Sequence, residues 1–286
     1  MSRIKICLTI AGLDPSGGAG VIADIKTFSA FGCFATAAIS SITFQNTTGV
    51  FGTVHQTAET VRGQVEPIIR DYTVDAVKTG MLPTREVIEE TARLISRNGL
   101  QNIVVDPVVR STSGFDLIDD GALRSLIELL FPLSDVVTPN LPEAERISGI
   151  KITTESDIEK AAKIMQAMGA KNVLIKGGHP PLSDLKFEKS DSNEYADVDQ
   201  SEGLKIGQRL KARDFLFIGS NIYVFEDDFI ATTATHGTGC TLSSAIAANL
   251  ALGNDLKESL RLSKKFVTNA IRTAPGLGHG NSPINI

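Results

Sequence analysis

The sequence predicts an α/β fold, a mostly parallel sheet covered by helices on both faces and finished by antiparallel strands. Along most of the 286 residues, short apolar or β-branched runs alternate with helical stretches, the pattern of parallel strands joined by crossover helices. Polar side chains recur at the ends of those runs, where ligands of such sheets bind. A late pair of apolar runs, 215–218 and 222–225, is parted only by Gly219-Ser220-Asn221 and reads as a hairpin.

Residues 4–10 read as a buried strand, and Ala11 to Gly20, with Asp14, Pro15, Gly17 and Gly18 inside it, as a loop. A helix follows on Val21, Ile22, Ile25, Phe28 and Phe31, and Gly32 stops it. This opening suits a nucleotide-binding fold, although the dinucleotide fingerprint and the Walker pattern are both missing. The small and apolar run 34–44 suits a buried central strand ending in Gln45-Asn46-Thr47. A helix within 57–72 is interrupted or bent near Pro67.

Strand 74–78 ends in Thr79-Gly80-Met81-Leu82, and a helix covers 84–98. Strand 102–105 delivers Asp106 and Pro107, and residues 119–130 are helical. Val136-Val137 leads to Thr138-Pro139-Asn140-Leu141-Pro142-Glu143. Helix 154–168 starts on capping residues, and strand 173–175 ends in Lys176-Gly177-Gly178-His179. Residues 182–213, acidic and then basic, read as a surface excursion from one domain spanning 1–286. After a last helix over 256–273, the glycine-rich tail is expected to be loosely held.

A hydrophobic content of 42% with 21% charge is ample for a core. The net charge of −5, with Lys and Arg scattered, disfavours nucleic acid as a partner. Cys7, Cys33 and Cys240 lack paired spacing, which argues against a disulfide framework or a zinc site and for a reducing compartment. With no signal-peptide pattern and no run of membrane-spanning length, the protein is expected to be cytoplasmic, without a membrane partner.

The chemistry centres on Thr235-His236-Gly237-Thr238-Gly239-Cys240, a turn that runs into an Ala-rich helix stopping at Gly253. Gly237 and Gly239 let the main chain approach an anion, and the helix N-terminus favours negative charge. Cys240 sits in the same field, which is expected to lower its thiol pKa and make it a base or nucleophile. Gln45, Met81, Asp106, Asn140 with Glu143, and Lys176 all fall at the carboxyl edge of the sheet.

Together these supply the parts of phosphoryl transfer. Lys176 neutralises phosphate, Asn140 and Glu143 hold hydrated magnesium, Asp106 supports that ion, and the turn receives transferring charge. Each has a duller reading. Lys176 is then a solvated strand end, Asn140 and Glu143 a helix cap, and Asp106 a turn former. Their meeting at one sheet edge outweighs these readings taken singly. His179 and His236, lacking ligand spacing, are read as braces.

The motifs Ala11-Gly12 with Asp14-Pro15-Ser16-Gly17-Gly18, Gln45-Asn46-Thr47, Lys78-Thr79-Gly80-Met81-Leu82, Val105-Asp106-Pro107-Val108, Asn140-Leu141-Pro142-Glu143, Lys176-Gly177-Gly178-His179 and Thr235 to Thr241 together resemble the hydroxymethylpyrimidine and phosphomethylpyrimidine kinases of thiamine biosynthesis. These belong to the ribokinase-like superfamily. The resemblance covers nearly the whole chain outside the excursion. It implies a three-layer α/β/α kinase that moves the γ-phosphoryl of ATP to the hydroxymethyl of 4-amino-5-hydroxymethyl-2-methylpyrimidine, then phosphorylates that product again. It implies that Gln45 reads the pyrimidine edge, that Gly12, Met81 and Val108 line the ring, and that Asp24 is a further pocket residue. Gly237, Thr238 and Gly239 become the anion hole, Cys240 the base, and Asn140, Lys176 and Thr235 the nucleotide side.

The sequence departs from the family at Arg110-Ser111-Thr112-Ser113-Gly114, in the length of 182–213, and at Ala231-Thr232-Thr233-Ala234. Three rival readings remain beside it. They are a pyridoxal kinase of the same branch, a catalytically silent binder that kept the pocket, and, more weakly, a sugar kinase, for which Cys240 stands where Asp is wanted. Related kinases often pair, so the apolar run 34–51 reads as either a homodimer interface or core.

Overall fold

The computed structural model describes residues 3–109, 117–177 and 211–286. Residues 110–114, Gly178, His179 and 182–210 of the expected excursion lie outside the described residues. In order come β1 (Ile6–Leu13), α1 (Gly20–Ala30), β2 (Phe34–Asn46), β3 (Gly49–His55), α2 (Ala58–Asp71) and β4 (Ala76–Thr79). Then follow α3 (Arg85–Arg97), β5 (Ile103–Val105), α4 (Asp120–Leu130), β6 (Val136–Val137), α5 (Leu141–Ser148), α6 (Glu155–Ala167) and β7 (Asn172–Lys176). The hairpin β8 (Lys211–Ile218) and β9 (Asn221–Asp228) precedes α7 (Thr238–Ala251) and α8 (Leu256–Arg272).

Local sequence explains the helix starts. Thr57, Thr84 and Asp119 cap α2, α3 and α4 by accepting a backbone N–H on a side-chain oxygen, each cap contributing about 1 kcal/mol. Thr154 and Asp157 close a capping box on α6.

Among the described residues the strands form one sheet in the order β3-β2-β1-β4-β5-β6-β7-β8-β9. The strands from β2 across to β7 run parallel, while β3 at one edge and the β8–β9 hairpin at the other add antiparallel pairings. One apolar core lies between the sheet and α2 to α6, and a second between the sheet and α1, α7 and α8. The result is three layers. Leu8, Ile10 and Phe28 are fully buried, each such side chain contributing about 1.5–3 kcal/mol. The order turns at β1, which lies between β2 and β4. A crevice opens at such a point beyond the strand ends. No helix among the described residues is long and apolar enough to cross a membrane.

Four expectations need correction. Strand β2 is not central; it lies one place from the edge, and its alternating burial leaves Phe34 and Phe44 half exposed. β3 has no counterpart in the sequence reading. Helix α2 runs through Pro67 without interruption.

The tail is not loose. Gly280 and Asn281 donate backbone N–H groups to Thr47 at 3.3 and 2.8 Å. His236 N–H donates to Ser282 O at 3.2 Å, and Asn285 N–H to Ala270 O at 3.0 Å. Backbone hydrogen bonding across distant loops replaces the local order that its glycines deny it.

Candidate active site

A cleft of about 1070 Å³ opens along the carboxyl edge of the sheet. Among the described residues, every substrate, nucleotide, metal and catalytic candidate read from the sequence lines it except Asp24. That residue sits on the inner face of α1, fully buried, and its carboxylate pairs with Lys78 Nζ at 2.9 Å. An acid with a buried cation partner turns inward, so the sequence-based assignment of Asp24 to the pocket wall is corrected. The missed residue is Lys78, a strand-end Lys like Lys176, to which the same strand-end rule applied.

At one end of the cleft the strand ends carry charge. Lys176 Nζ, at the end of β7, lies 3.0 Å from Asp106 Oδ1, just beyond β5. Asp106 also accepts from Thr138 Oγ1 at 3.1 Å and Ser243 Oγ at 3.3 Å. Burial opposes charge on both groups, but their attraction outweighs it: the Lys176 ammonium is held above its ordinary value and the Asp106 carboxyl below.

Asn140 and Glu143 form a capping box on α5, with Glu143 N–H donating to Asn140 Oδ1 and Asn140 N–H to Glu143 Oε2, both at 2.8 Å. The cap thus holds Glu143 at the cleft wall. Burial pushes Glu143 up to about 7; Lys176 opposes the shift and Asp106 adds to it. Among the described residues no group of three or more His, Cys, Asp or Glu could hold a metal ion.

The turn before α7 supplies the donors. Gly237 is its N-cap at φ +86°, a left-handed conformation, and a Cβ there would meet Gly18 O at 1.8 Å. Glycine is therefore required on both counts. The first bond of the helix is Thr241 N–H to Gly237 O at 2.9 Å, while Thr238 N–H turns back to Thr235 O at 3.3 Å. Gly239 and Cys240 occupy the first turn, where N–H groups lack helical acceptors. A Cβ on Gly239 would stand 3.2 Å from Lys176 Nζ, so cation and helix end face one space.

Cys240 is partly exposed, whereas Cys7 and Cys33 are buried. The helix does not depress its thiol as expected. Burial pushes Cys240 up to about 11; Lys78 and the Gly20 N–H oppose this, while Asp106 and Asp24 add to it. Loss of hydration at the wall outweighs the charge of Lys78.

The other end is apolar and tightly built. A Cβ at Gly12 would meet Met81 Sδ at 3.0 Å, and Met81 O accepts from Ser40 Oγ at 2.5 Å. Gln45, near the end of β2, receives Thr43 Oγ1 on its Oε1 at 3.1 Å. His236 Nε2 lies 2.7 Å from Asp14 Oδ2 and 3.4 Å from Gln45 Nε2. The Asp14 carboxyl is held low: burial opposes its charge, but bonds from His236 and Ser16 outweigh that. An ionised carboxylate only accepts, so the His236 nitrogen donates to it and the Gln45 amide N–H groups stay available to the cleft. His236 is thereby the brace its position suggested.

Comparison with known proteins places this geometry. The family described as Phosphomethylpyrimidine kinase matches residues 14–285. A hydroxymethylpyrimidine/phosphomethylpyrimidine kinase of Bacillus subtilis is 40% identical over 278 residues, covering 97% of this chain and 93% of the relative. A thiamine biosynthesis bifunctional protein of Geobacter sulfurreducens is 39% identical over 278 residues, 97% of this chain and 51% of that longer protein. An ADP complex of Bacillus subtilis pyridoxal kinase superposes with a TM-score of 0.82 at 35% identity, covering 99% of this chain and 97% of that one.

Proposed function

The chain belongs to the phosphomethylpyrimidine kinase family, and from that premise we propose that it phosphorylates 4-amino-5-hydroxymethyl-2-methylpyrimidine with ATP and then phosphorylates the monophosphate to the diphosphate, for thiamine biosynthesis. One observation carries the reading: the Gln45, Gly12, Met81 and Val108 wall shares a cleft with Lys176, the α7 N-terminus and Cys240. A flat ring with a polar edge suits the first set. A transferring phosphoryl suits the second.

Gln45 would hold the pyrimidine edge through its amide, and the Gly237, Thr238 and Gly239 turn would take charge developing on the phosphoryl oxygens. Cys240 would accept the hydroxymethyl proton as the oxygen–phosphorus bond forms and ADP leaves. Burial raises that thiol to about 11, so the small thiolate fraction present at neutral pH would be the accepting form, and a loose transition state asks little of its base. Lys176, Asn140 and Thr235 would meet the nucleotide.

Magnesium fits Asp106 and Glu143. Burial, with Asp106 adding to it, raises the Glu143 carboxyl to about 7 against the pull of Lys176; a divalent cation would favour its ionised form, and magnesium takes one or two carboxylates together with substrate phosphates. When bound, the ion supplies charge neutralisation. Half-exposed Phe44 and Val54 and exposed Phe51, on β2 and β3, support a homodimer that covers them, and the free thiols support a cytoplasmic location.

The structural likeness to a pyridoxal kinase over 99% of the chain favours pyridoxal as the second reading. The deciding experiment is magnesium-dependent ADP formation with hydroxymethylpyrimidine, pyridoxal and ribose side by side, with products identified by mass. Diphosphate from the pyrimidine supports the two-step kinase, pyridoxal phosphate alone replaces it with the second reading, and no ADP from any of them leaves a silent binder.

A further inference from the structure

Beneath the cleft lies a charged post that the proposed reaction leaves unused. Lys78 on β4 is fully buried, and its Nζ lies 2.9 Å from both carboxylate oxygens of Asp24 on α1. Thr9 Oγ1 of β1 and Ser244 Oγ of α7 each donate to the same carboxylate at 2.6 Å. Four secondary-structure elements thus meet on one acid. Ser244 follows Cys240 by one helical turn on α7, so the carboxylate that grips Lys78 also fixes the segment carrying the thiol. Lys78 itself reaches the cleft wall.

Burying an ion pair costs hydration on both partners, and a well-packed apolar pair serves stability as well or better. A buried cation at the edge of a reaction cleft therefore calls for another use. We propose that Lys78, clamped by Asp24, is a positioning residue that supplies a fixed positive charge on the cleft wall it shares with Cys240 and so sets how tightly that thiol holds its proton; the proposal rests on Cys240 as proton acceptor.

The charged groups around the sulfur are Lys78 from β4, Lys176 from β7, Asp24 from α1 and Asp106 beyond β5. Lys176 is tied to Asp106. Lys78 is the side chain that most lowers the thiol's proton affinity, against burial and the two acids. When the substrate hydroxyl gives its proton to the sulfur, the O–H bond breaks, the S–H bond forms, and the electron pair freed on oxygen makes the bond to phosphorus as the γ-phosphoryl leaves ADP. Before that transfer the thiolate is the species that Lys78 stabilises.

The test is alkylation of Cys240 by iodoacetamide in the free protein, followed by peptide mass against pH, with no substrate present. Below the thiol pKa the rate follows the thiolate fraction. Removing an opposite charge shifts a neighbour by about one unit or more, so Lys78→Met should slow alkylation about tenfold or more at fixed pH. The Asp24→Asn/Lys78→Met double variant also removes an acid that raises the thiol, so it should slow alkylation by a smaller factor than Lys78→Met, and Lys78→Arg should keep the wild-type rate. An unchanged rate in folded Lys78→Met overturns the proposal, as does a double variant alkylated faster than wild type should the single variant not fold. Slowed alkylation in a protein that phosphorylates no pyrimidine would leave it standing and remove only the substrate reading.

Discussion

At one end of the cleft Asp106, Lys176 and Glu143 meet as charged side chains from β5, β7 and α5, each with partners already in place. Where the turn before α7 meets the ring wall, main chain lies directly on main chain, with Gly237 against Gly18, and on that wall the polar reader, Gln45, accepts from Thr43. Charge acts over distance and is screened by degrees, whereas steric contact fails within a fraction of an ångström. The two regions should therefore fail differently when altered. Charged positions should give graded, pH-dependent losses, and the backbone junction should give all or nothing.

The largest expected effect tests the junction. Gly237→Ala sets a methyl 1.8 Å from Gly18 O and should cut kcat by at least about a thousandfold, above the usual cost of one lost donor; a variant within tenfold of wild type would show the junction to be adjustable. Next is Cys240→Ala, for which steady-state kinetics should show kcat lowered by about 10²–10⁴ with KM nearly unchanged. The intact protein's kcat/KM should climb with pH toward about 11, because the base form grows in that direction. Unchanged turnover in the variant would remove Cys240 as base.

A smaller effect is expected at Gln45→Ala. Loss of one hydrogen bond should raise KM for the pyrimidine by about tenfold while a binding titration finds ATP affinity intact; equal losses for both ligands would move Gln45 out of the ring site. The smallest concerns the charged end. Glu143 is raised to about 7 from an ordinary 4.5, so the folded state takes up its proton first as pH falls, and stability grows from pH 8 down toward 5. The free protein's Tm should rise by about 2–4 °C for each 1 kcal/mol so gained, and Glu143→Gln should flatten the dependence. A slope that survives the substitution assigns it to another group.

Most of the parallel sheet was legible because each strand is a short apolar run followed by a polar residue, as at Val105 and Asp106. The cleft was legible for the same reason: the strand ends must share a rim. What escaped was non-local or half exposed. The β3 sequence Gly-Val-Phe-Gly-Thr-Val-His has two glycines and little burial, so neither periodicity nor core composition marks it. Helix α1 presents the polar Asp24 and Thr27 to the interior, against the rule that apolar spacing finds the buried face. Lys78 is hidden likewise, since a lysine reads as exposed until its acid, 54 residues away, is in place. The thiol of Cys240 was misjudged because the helix field is visible in sequence and burial is not.

The docked tail sets a schedule for synthesis. Gly280 meets Thr47 across 233 residues, and at a translation rate of about 5–20 residues per second the loop carrying Gln45 emerges about ten to fifty seconds before its clasp. During that interval the Thr47 turn lacks both of its tail donors, and His236, once it emerges, still lacks the Ser282 carbonyl. Substrate competence therefore waits for residues 280–282, after the last strand of the sheet that frames it has emerged.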